Sequence, residues 1–237
     1  MNHGFLNLVG AAFLGLALCT SPGARADSAL DRDTQVLGEA IRAVPGEVAD
    51  IVMYPANSPS DFWNYAALVG ALVVADRPLT QLYQDSVEAS LKDFKLPDSP
   101  LPPSPITWGT DGWLLLGVTG TYMGGVLADD PYTQKVGIAA TKAIGYAYLL
   151  DQVALKTIAG RNRPLASLSG GQASGSFTSN PYDFFNSRGG AILNSDSQGS
   201  SFLSFHTTMW FAVAKVYERA YDNYWVPYSL TALGLAS

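Results

Sequence analysis

The sequence predicts an all-α protein, and two observations support this fold class. The apolar segments are about twelve or more residues long and carry helical spacing, and no alternating strand pattern of comparable strength occurs. Charged residues make up 14% of the 237-residue chain and hydrophobic residues 48%, so helices this apolar must bury much of their surface against one another. We therefore predict a bundle of mutually buried helices in a single domain.

The first 26 residues resemble a signal peptide. Residues 5–19 form an apolar run too short to span a bilayer, and Ala24-Arg25-Ala26 has the small-x-small pattern of a cleavage site. We expect cleavage near Ala26, a secreted or periplasmic product, and one domain over residues 27–237. Cleavage would also remove Cys19, the single cysteine of the chain, leaving neither a disulfide nor a reactive thiol.

The remaining segments predict a succession of helices and connectors. Prolines and an asparagine predict a loop over 53–61, with Ser60 or Asp61 capping the next helix. The five prolines of residues 96–105 predict an extended connector, and the Gly- and Ser-rich stretch 165–201 predicts a long loop. Gly120 and Gly124 share a helical face, which predicts close contact with another helix. The predicted helices cover residues 27–48, 62–75, 78–94, 111–127, 132–158, 207–221 and 227–235.

Charge excludes some partners. The net charge is −6 and becomes −7 once Arg25 leaves with the signal peptide, because no other charged residue lies in that segment. Such a chain is a poor candidate for nucleic acid or an anionic membrane surface. Against this acidic background, the segment 156–163 is a local positive cluster.

Lys156 and Arg163 are candidate anion ligands. They lie seven residues apart, two helical turns, so both can point the same way at a helix end. Lysine supplies a point charge, whereas arginine supplies a planar fork that can bind two oxygens. Residue type alone leaves a second interpretation open, in which the two cations only complement the helix dipole at a solvated end.

Ser204 and His206 form the second candidate cluster. Ser204 is a natural N-cap of the apolar helix that follows, and free N–H groups at a helix start can bind an anion. His206 in the first turn can protonate a leaving group beside that anion. The alternative is a capping serine followed by a half-buried histidine with no chemical role.

Other catalytic patterns are missing from the sequence. The acidic pair Asp129-Asp130 precedes Pro131 and predicts a helix end or cap, not a pair of catalytic carboxylates. No Cys/His cluster has metal-ligand spacing, and neither a Gly-rich phosphate loop nor a Gly-x-Ser-x-Gly elbow occurs. We therefore predict no metal.

The two clusters, in this order, resemble motifs of the type-2 phosphatidic acid phosphatase superfamily, which includes secreted bacterial acid phosphatases and vanadium haloperoxidases. The family pattern is Lys-x6-Arg-Pro, then Pro-Ser-Gly-His, then Ser-Arg-x5-His-x3-Asp. Lys156 and Arg163-Pro164 match the first element, and Ser204 and His206 match the second. Leu203 and Phe205 stand where the family has proline and glycine. The resemblance extends over about residues 56–237.

The resemblance implies a helical bundle of the acid phosphatase/haloperoxidase type and a phosphomonoesterase that acts through a phosphohistidine. Lys156, Arg163, Ser204 and the backbone N–H of Phe205 would bind phosphate, and His206 would protonate the leaving alkoxide. Arg, His and Asp of the third element are absent up to Ser237. We therefore expect a bundle incomplete at its C-terminus and a chain that is inactive as it stands. We also expect the Phe205 ring to crowd the anion.

Three alternatives remain from the sequence. A vanadium-dependent haloperoxidase would hold vanadate in the same cationic site, as its sole cofactor; the phosphatase needs none. A non-catalytic periplasmic anion-binding protein would account for the missing nucleophile. An integral-membrane lipid phosphatase is disfavoured by short apolar segments and by Lys142 within one of them. The expected ligand is a small phosphate ester or a lipid phosphate, and an uncovered bundle face predicts a possible homo-oligomer.

Overall fold

The computed structural model describes residues 24–91, 93–94, 96–102, 110–155 and 204–236. These residues are predominantly helical and contain no strand, which confirms the all-α class. The elements are α1 (Ala24–Asn57), α2 (Pro59–Val74), α3 (Asp76–Tyr83), a π-helical segment Gln84–Glu88, α4 (Ala89–Leu91), α5 (Asp111–Leu127), α6 (Pro131–Tyr148), a second π-helical segment Leu149–Leu155, α7 (Phe205–Tyr221) and α8 (Trp225–Ala236).

The loop predicted over residues 53–61 is wrong. Helix α1 continues through Pro45 and Pro55 to Asn57, and the Ser58 N–H donates to the Tyr54 carbonyl at 2.9 Å. A proline inside a helix removes one hydrogen bond, and here the bonding resumes immediately after it. The cap of α2 is Ser58, not Ser60 or Asp61, because Pro59 occupies the first helical turn, where a missing N–H has no consequence.

Two other predicted boundaries also shift. The helix expected from residue 78 begins at Asp76 and is interrupted by a π-helical segment. The helix expected over 132–158 is α-helical only to Tyr148 and then π-helical to Leu155. The predicted helix 111–127 has the observed bounds. Residues 96–102 are not helical, as the proline-rich connector requires, whereas the loop predicted over 165–201 lies outside the described residues.

The core lies between α5, α6 and α7. Side chains from all three helices are buried, and Phe205 and Met209 are the largest of those that are fully buried. Helix α8 packs on the outer side of α7. This arrangement brings the start of α5, the start of α7 and the end of α6 into one region. The cluster comprises Leu114, Val118, Ala140, Ile144, Ala147, Phe205, Met209, Trp210 and Val213.

Different glycines from those expected allow α5 and α6 to approach closely. Among the described residues, no atom lies within 4 Å of the position that a Cβ would take on Gly120 or Gly124, so the predicted contact face is not the one that α5 turns toward α6. A Cβ on Gly125 would lie 2.6 Å from the backbone N of Gln134, and one on Gly137 would lie 2.7 Å from that of Tyr122. A helix that is apolar on nearly all sides has no polar face that would point to solvent. The periodicity of the sequence therefore does not predict which face contacts another helix.

Polar side chains connect helix α1 to α6. Glu47 accepts hydrogen bonds from Lys142, at 2.5 Å, and from the Tyr146 hydroxyl, and Asp33 accepts from the Gln134 amide at 2.8 Å. Lys142, an apparent misfit in an apolar helix, therefore has a partner. Burial, reinforced by Glu47, raises the pKa of Tyr146 to about 12.

The Glu47 contact makes stability depend on pH. Burial raises the pKa of Glu47, but the hydrogen bonds from Lys142 and Tyr146 outweigh it, so the pKa lies below its ordinary value of 4.5. The contribution to stability is therefore complete above that value and is lost as the pH falls through the lowered pKa. We expect Glu47→Gln to destabilise the protein by about 1 kcal/mol at neutral pH and to remove this acid-sensitive component.

Urea unfolding at pH 7 and at pH 3.5 measures both effects. Glu39→Gln is the matched control, because it removes the same charge from an exposed position of α1 whose hydrogen bond, to Gln35, stays within the helix. Equal acid sensitivity in wild type and Glu47→Gln would show that Glu47 does not couple α1 to α6.

In the described part of the chain, no helix combines the length and apolarity needed to cross a membrane.

Candidate functional site

A buried carboxylate organises the candidate site. Asp111 is the first residue of α5 and is only 3% exposed. One of its oxygens, Oδ1, accepts a hydrogen bond from the indole Nε1 of Trp210 at 2.9 Å. The other, Oδ2, contacts Nδ1 of His206. A buried carboxylate is costly unless its oxygens are hydrogen-bonded, and here both oxygens have partners.

His206 is oriented by this contact. Because a carboxylate only accepts hydrogen bonds, the shared proton belongs to Nδ1 of His206. In the neutral ring, Nε2 then carries a lone pair and can take up a proton. The His206 side chain is 45% exposed, so its free edge can reach a ligand from solvent while Asp111 fixes the ring from inside.

Ser204 caps α7, as the sequence predicts. Its backbone is extended and its hydroxyl oxygen accepts from the Thr207 N–H at 3.4 Å. That interaction leaves the hydroxyl proton available for donation. The first N–H groups of a helix have no acceptor within the helix, and those of Phe205 and His206 are the first in α7.

The expectation that the Phe205 ring crowds the anion conflicts with where the ring lies. It is 2% exposed and belongs to the core, where it packs edge-on against Tyr148 with ring centroids 5.5 Å apart. The side chain therefore points inward while the backbone N–H stays in the first turn of α7. A phenyl group at this position stabilises the core beneath the site, because its apolar surface is withdrawn from water.

Trp210 is held in place by α8. A Cβ on Gly234 would lie 2.5 Å from the indole ring, so the helix packs directly against it. Thr231 also donates a hydrogen bond to the Trp210 carbonyl at 3.5 Å. Helix α8 thus fixes Trp210, which in turn fixes Asp111 and His206.

Lys156 and Arg163 lie outside the described residues. The chain before them reaches the same end of the bundle, since Tyr148 in the last turn of α6 contacts Phe205 in the first turn of α7. The π-helical segment that follows contacts α7 and contains Asp151, a fully buried carboxylate. It ends at Leu155, immediately before Lys156. π-Helical segments of this kind occur frequently at functional sites.

Asp111 was missed by sequence reasoning. Patterns of neighbouring residues do not reveal the pair, because Asp111 and His206 are 95 residues apart along the chain. One signal existed: Asp111 is the only charged residue between positions 111 and 127, at the start of an otherwise apolar helix. Asp130 is a helix cap, as predicted, and its side chain accepts a hydrogen bond from the Tyr132 N–H at 3.0 Å.

Comparison with family models, curated proteins and solved structures finds no match to this chain. The site must therefore be interpreted from its own geometry. Within the described ranges, no three His, Cys, Asp or Glu side chains are grouped so as to hold a metal ion. The arrangement provides a fixed, solvent-reachable imidazole beside a helix start that can bind an anion.

Proposed function

We propose that the site is the acid–base and anion-binding part of a phosphoric monoester hydrolase, of the type that the sequence motifs resemble. The observation that carries the proposal is a contact at the start of α7: His206, in the first turn of that helix, contacts the buried carboxylate of Asp111. An imidazole fixed at Nδ1 by a carboxylate presents Nε2 for proton transfer. Its position beside a capped helix start favours an oxyanion as the reacting group.

The proposed roles follow from the donors and charges available. The N–H groups of Phe205 and His206 and the hydroxyl of Ser204 bind phosphate oxygens, and Lys156 and Arg163 neutralise the charge. As a nucleophile bonds to phosphorus (a histidine in the family that the motifs resemble, whose phosphoryl group then passes to water), the P–O bond to the alcohol breaks, and His206, protonated at Nε2, gives its proton to the departing oxygen. Asp111 stabilises the imidazolium in the stage before that transfer. It is a positioning residue because it acts through His206.

Non-catalytic anion binding is a second candidate, favoured by one observation. Within residues 24–91, 93–94, 96–102, 110–155 and 204–236, His206 is the single histidine, so none of these residues can act as a second histidine and form a phosphohistidine. Loss of the nucleophile from a concerted catalytic unit lowers turnover by about 10⁴-fold or more. The haloperoxidase alternative shares the anion site and differs in requiring vanadate for halide oxidation.

Ligand-dependent stability tests the shared anion site. Thermal unfolding of the full chain is followed with orthovanadate, phosphate or chloride, and p-nitrophenyl phosphate hydrolysis is measured in parallel. We expect phosphate and vanadate to stabilise the wild type, by about 2.7 kcal/mol at one hundred times the dissociation constant. His206→Gln and Ser204→Ala should weaken that binding about tenfold, since each removes one charge-assisted or neutral hydrogen bond.

Asp222→Asn is the matched control for charge, because Asp222 caps the far end of α7 in a left-handed conformation that asparagine also adopts. Stabilisation with hydrolysis supports the enzyme, and stabilisation without hydrolysis supports the binding protein. Stabilisation by vanadate together with vanadate-dependent bromide oxidation would support the haloperoxidase. No stabilisation by any oxyanion would contradict the proposed site.

A further inference from the structure

Helix α8 is attached to the bundle through small residues. It packs on α7, and its buried positions Pro227, Thr231 and Gly234 follow one another at intervals of four and three residues, on one face of the helix. Leu235 adds a partly buried contact with the core, whereas Leu233 is about half exposed. Small residues withdraw little apolar surface from water, so we expect α8 to open locally more readily than α5, α6 and α7.

The indole ring of Trp210 lies directly against this face of α8. A Cβ on Gly234 would be 2.5 Å from Cζ2, 2.6 Å from Cη2 and 2.8 Å from Cε2 of the ring. These three atoms form the edge that leads to Nε1, and Nε1 donates the hydrogen bond to Asp111 at 2.9 Å. Because the indole is one rigid plane, a displacement of the edge that contacts α8 also displaces the N–H that holds Asp111.

Helix α8 also contacts the chain just before Asp111. The hydroxyl of Thr110, the residue that precedes α5, donates to the Gly234 carbonyl at 3.4 Å. Position 234 therefore contacts both the residue before Asp111 and the side chain that donates to Asp111. Since Asp111 orients His206, the support of the candidate site extends from α7 to α8 through Trp210.

We propose that the docking of α8 and the binding of an oxyanion at His206 are coupled through Trp210, so that each stabilises the other. The inference rests on the proposed oxyanion site, and it makes Trp210 a positioning residue. When α8 is docked, the indole is held from outside and keeps Asp111 and His206 in the binding arrangement. When α8 is displaced, the ring loses that contact and His206 is no longer held. Because coupling between two equilibria is reciprocal, a bound oxyanion opposes the opening of α8 by the same factor.

Hydrogen exchange of the wild type tests the reciprocal effect. The full chain is incubated in D₂O with saturating phosphate, or with sodium chloride at equal ionic strength, and exchange is measured by mass spectrometry. We expect phosphate to slow the exchange of α8 amides at least about fivefold, the lower end of typical couplings between sites. The exchange of α2, which packs on α1 and α3, should not change. Equal exchange of α8 with bound phosphate and with chloride would overturn the proposal.

Gly234→Ala tests the effect in the other direction. The Trp210 ring is buried, so either the ring moves and takes Nε1 away from Asp111, or α8 moves and leaves the ring unsupported. Phosphate binding, measured by calorimetry, should weaken about tenfold, as for the loss of one hydrogen bond. Ser229→Thr is the matched control, because it adds one methyl group at an exposed position of the same helix, and it should bind phosphate as the wild type does. Urea unfolding shows whether both variants are folded, and the exchange experiment needs neither of them.

Trp210→Phe shows whether Trp210 carries the coupling. Phenylalanine lacks the N–H and is smaller, so it leaves room for a Cβ at position 234. Adding Gly234→Ala to Trp210→Phe should therefore weaken phosphate binding no further than Trp210→Phe alone, and additive losses would overturn the role of Trp210. If the wild type binds phosphate and Gly234→Ala binds it equally well, the coupling is wrong and the proposed oxyanion site stands. A wild type that binds no oxyanion would overturn both.

Discussion

Replacing Asp111 by alanine is expected to destabilise the protein by about 3 kcal/mol and to abolish the orientation of His206. The substitution leaves the Trp210 indole N–H, now bonded at 2.9 Å, buried without an acceptor. It also removes the acceptor of His206 Nδ1. Urea unfolding of the full chain measures the loss as a lower midpoint with an unchanged denaturant slope.

Asp111→Asn separates the two functions of the carboxylate. Asparagine retains an oxygen for Trp210, so we expect a smaller loss of about 1 kcal/mol. Its amide N–H₂ would face Nδ1 of His206 and favour the tautomer protonated at Nε2, as in other histidine–carboxylate pairs. Asparagine also carries no negative charge to stabilise the imidazolium, so oxyanion binding by the doubly protonated ring should fall even though the fold is retained. If Asp111→Ala and the control Asp222→Asn have the same stability within about 0.5 kcal/mol, Asp111 does not support the site.

Gly137→Ala is expected to destabilise the protein by about 2 kcal/mol although alanine is the better helix former. The added Cβ would lie 2.7 Å from the backbone N and 2.8 Å from Cα of Tyr122. These are backbone atoms of α5, so they cannot move away as a side chain could. Helices α5 and α6 must therefore move apart, and this loosens the close packing of the core that they share.

Gly120→Ala is the matched control and should have the opposite sign. Gly120 lies on an exposed face of α5, and no atom of the described residues is within 4 Å of its Cβ position, so alanine only improves helix propensity. We expect stabilisation by about 0.5–1 kcal/mol. Both variants are compared with wild type by thermal and urea unfolding. If Gly137→Ala and Gly120→Ala change the free energy of unfolding in the same direction, the α5–α6 contact does not depend on Gly137.

The sequence was sufficient for features set by local interactions. The bounds of α5 and the cap at Ser204 follow from neighbouring residues, and both were predicted. The continuation of α1 past Pro55 was not predicted. A helix can pass through a proline where the adjoining turns are otherwise stabilised, and the residues beside Pro55 do not reveal this. The fold class was predictable since long apolar helices leave few alternatives to a bundle.

The residues of the candidate site also divide into those that a local pattern predicts and those that depend on how the helices pack. Ser204 and His206 stand in a recognisable local pattern, whereas the partnership of His206 with Asp111 arises only when α5 and α7 pack together. Which glycine faces which helix depends on that packing too. Lys156 and Arg163, the other half of the predicted site, remain predictions because they lie outside the described residues.

The most direct test of the central claim is the protonation of the His206 ring, measured by ¹H–¹⁵N NMR. Only two histidines occur in the chain, so a His3→Gln variant leaves His206 as the single imidazole signal. We predict that the neutral ring carries its proton on Nδ1, that Asp111→Asn moves the proton to Nε2, and that phosphate shifts the Nε2 resonance. A ring protonated at Nε2 in the parent His3→Gln chain, with no response to phosphate or vanadate, would contradict the account.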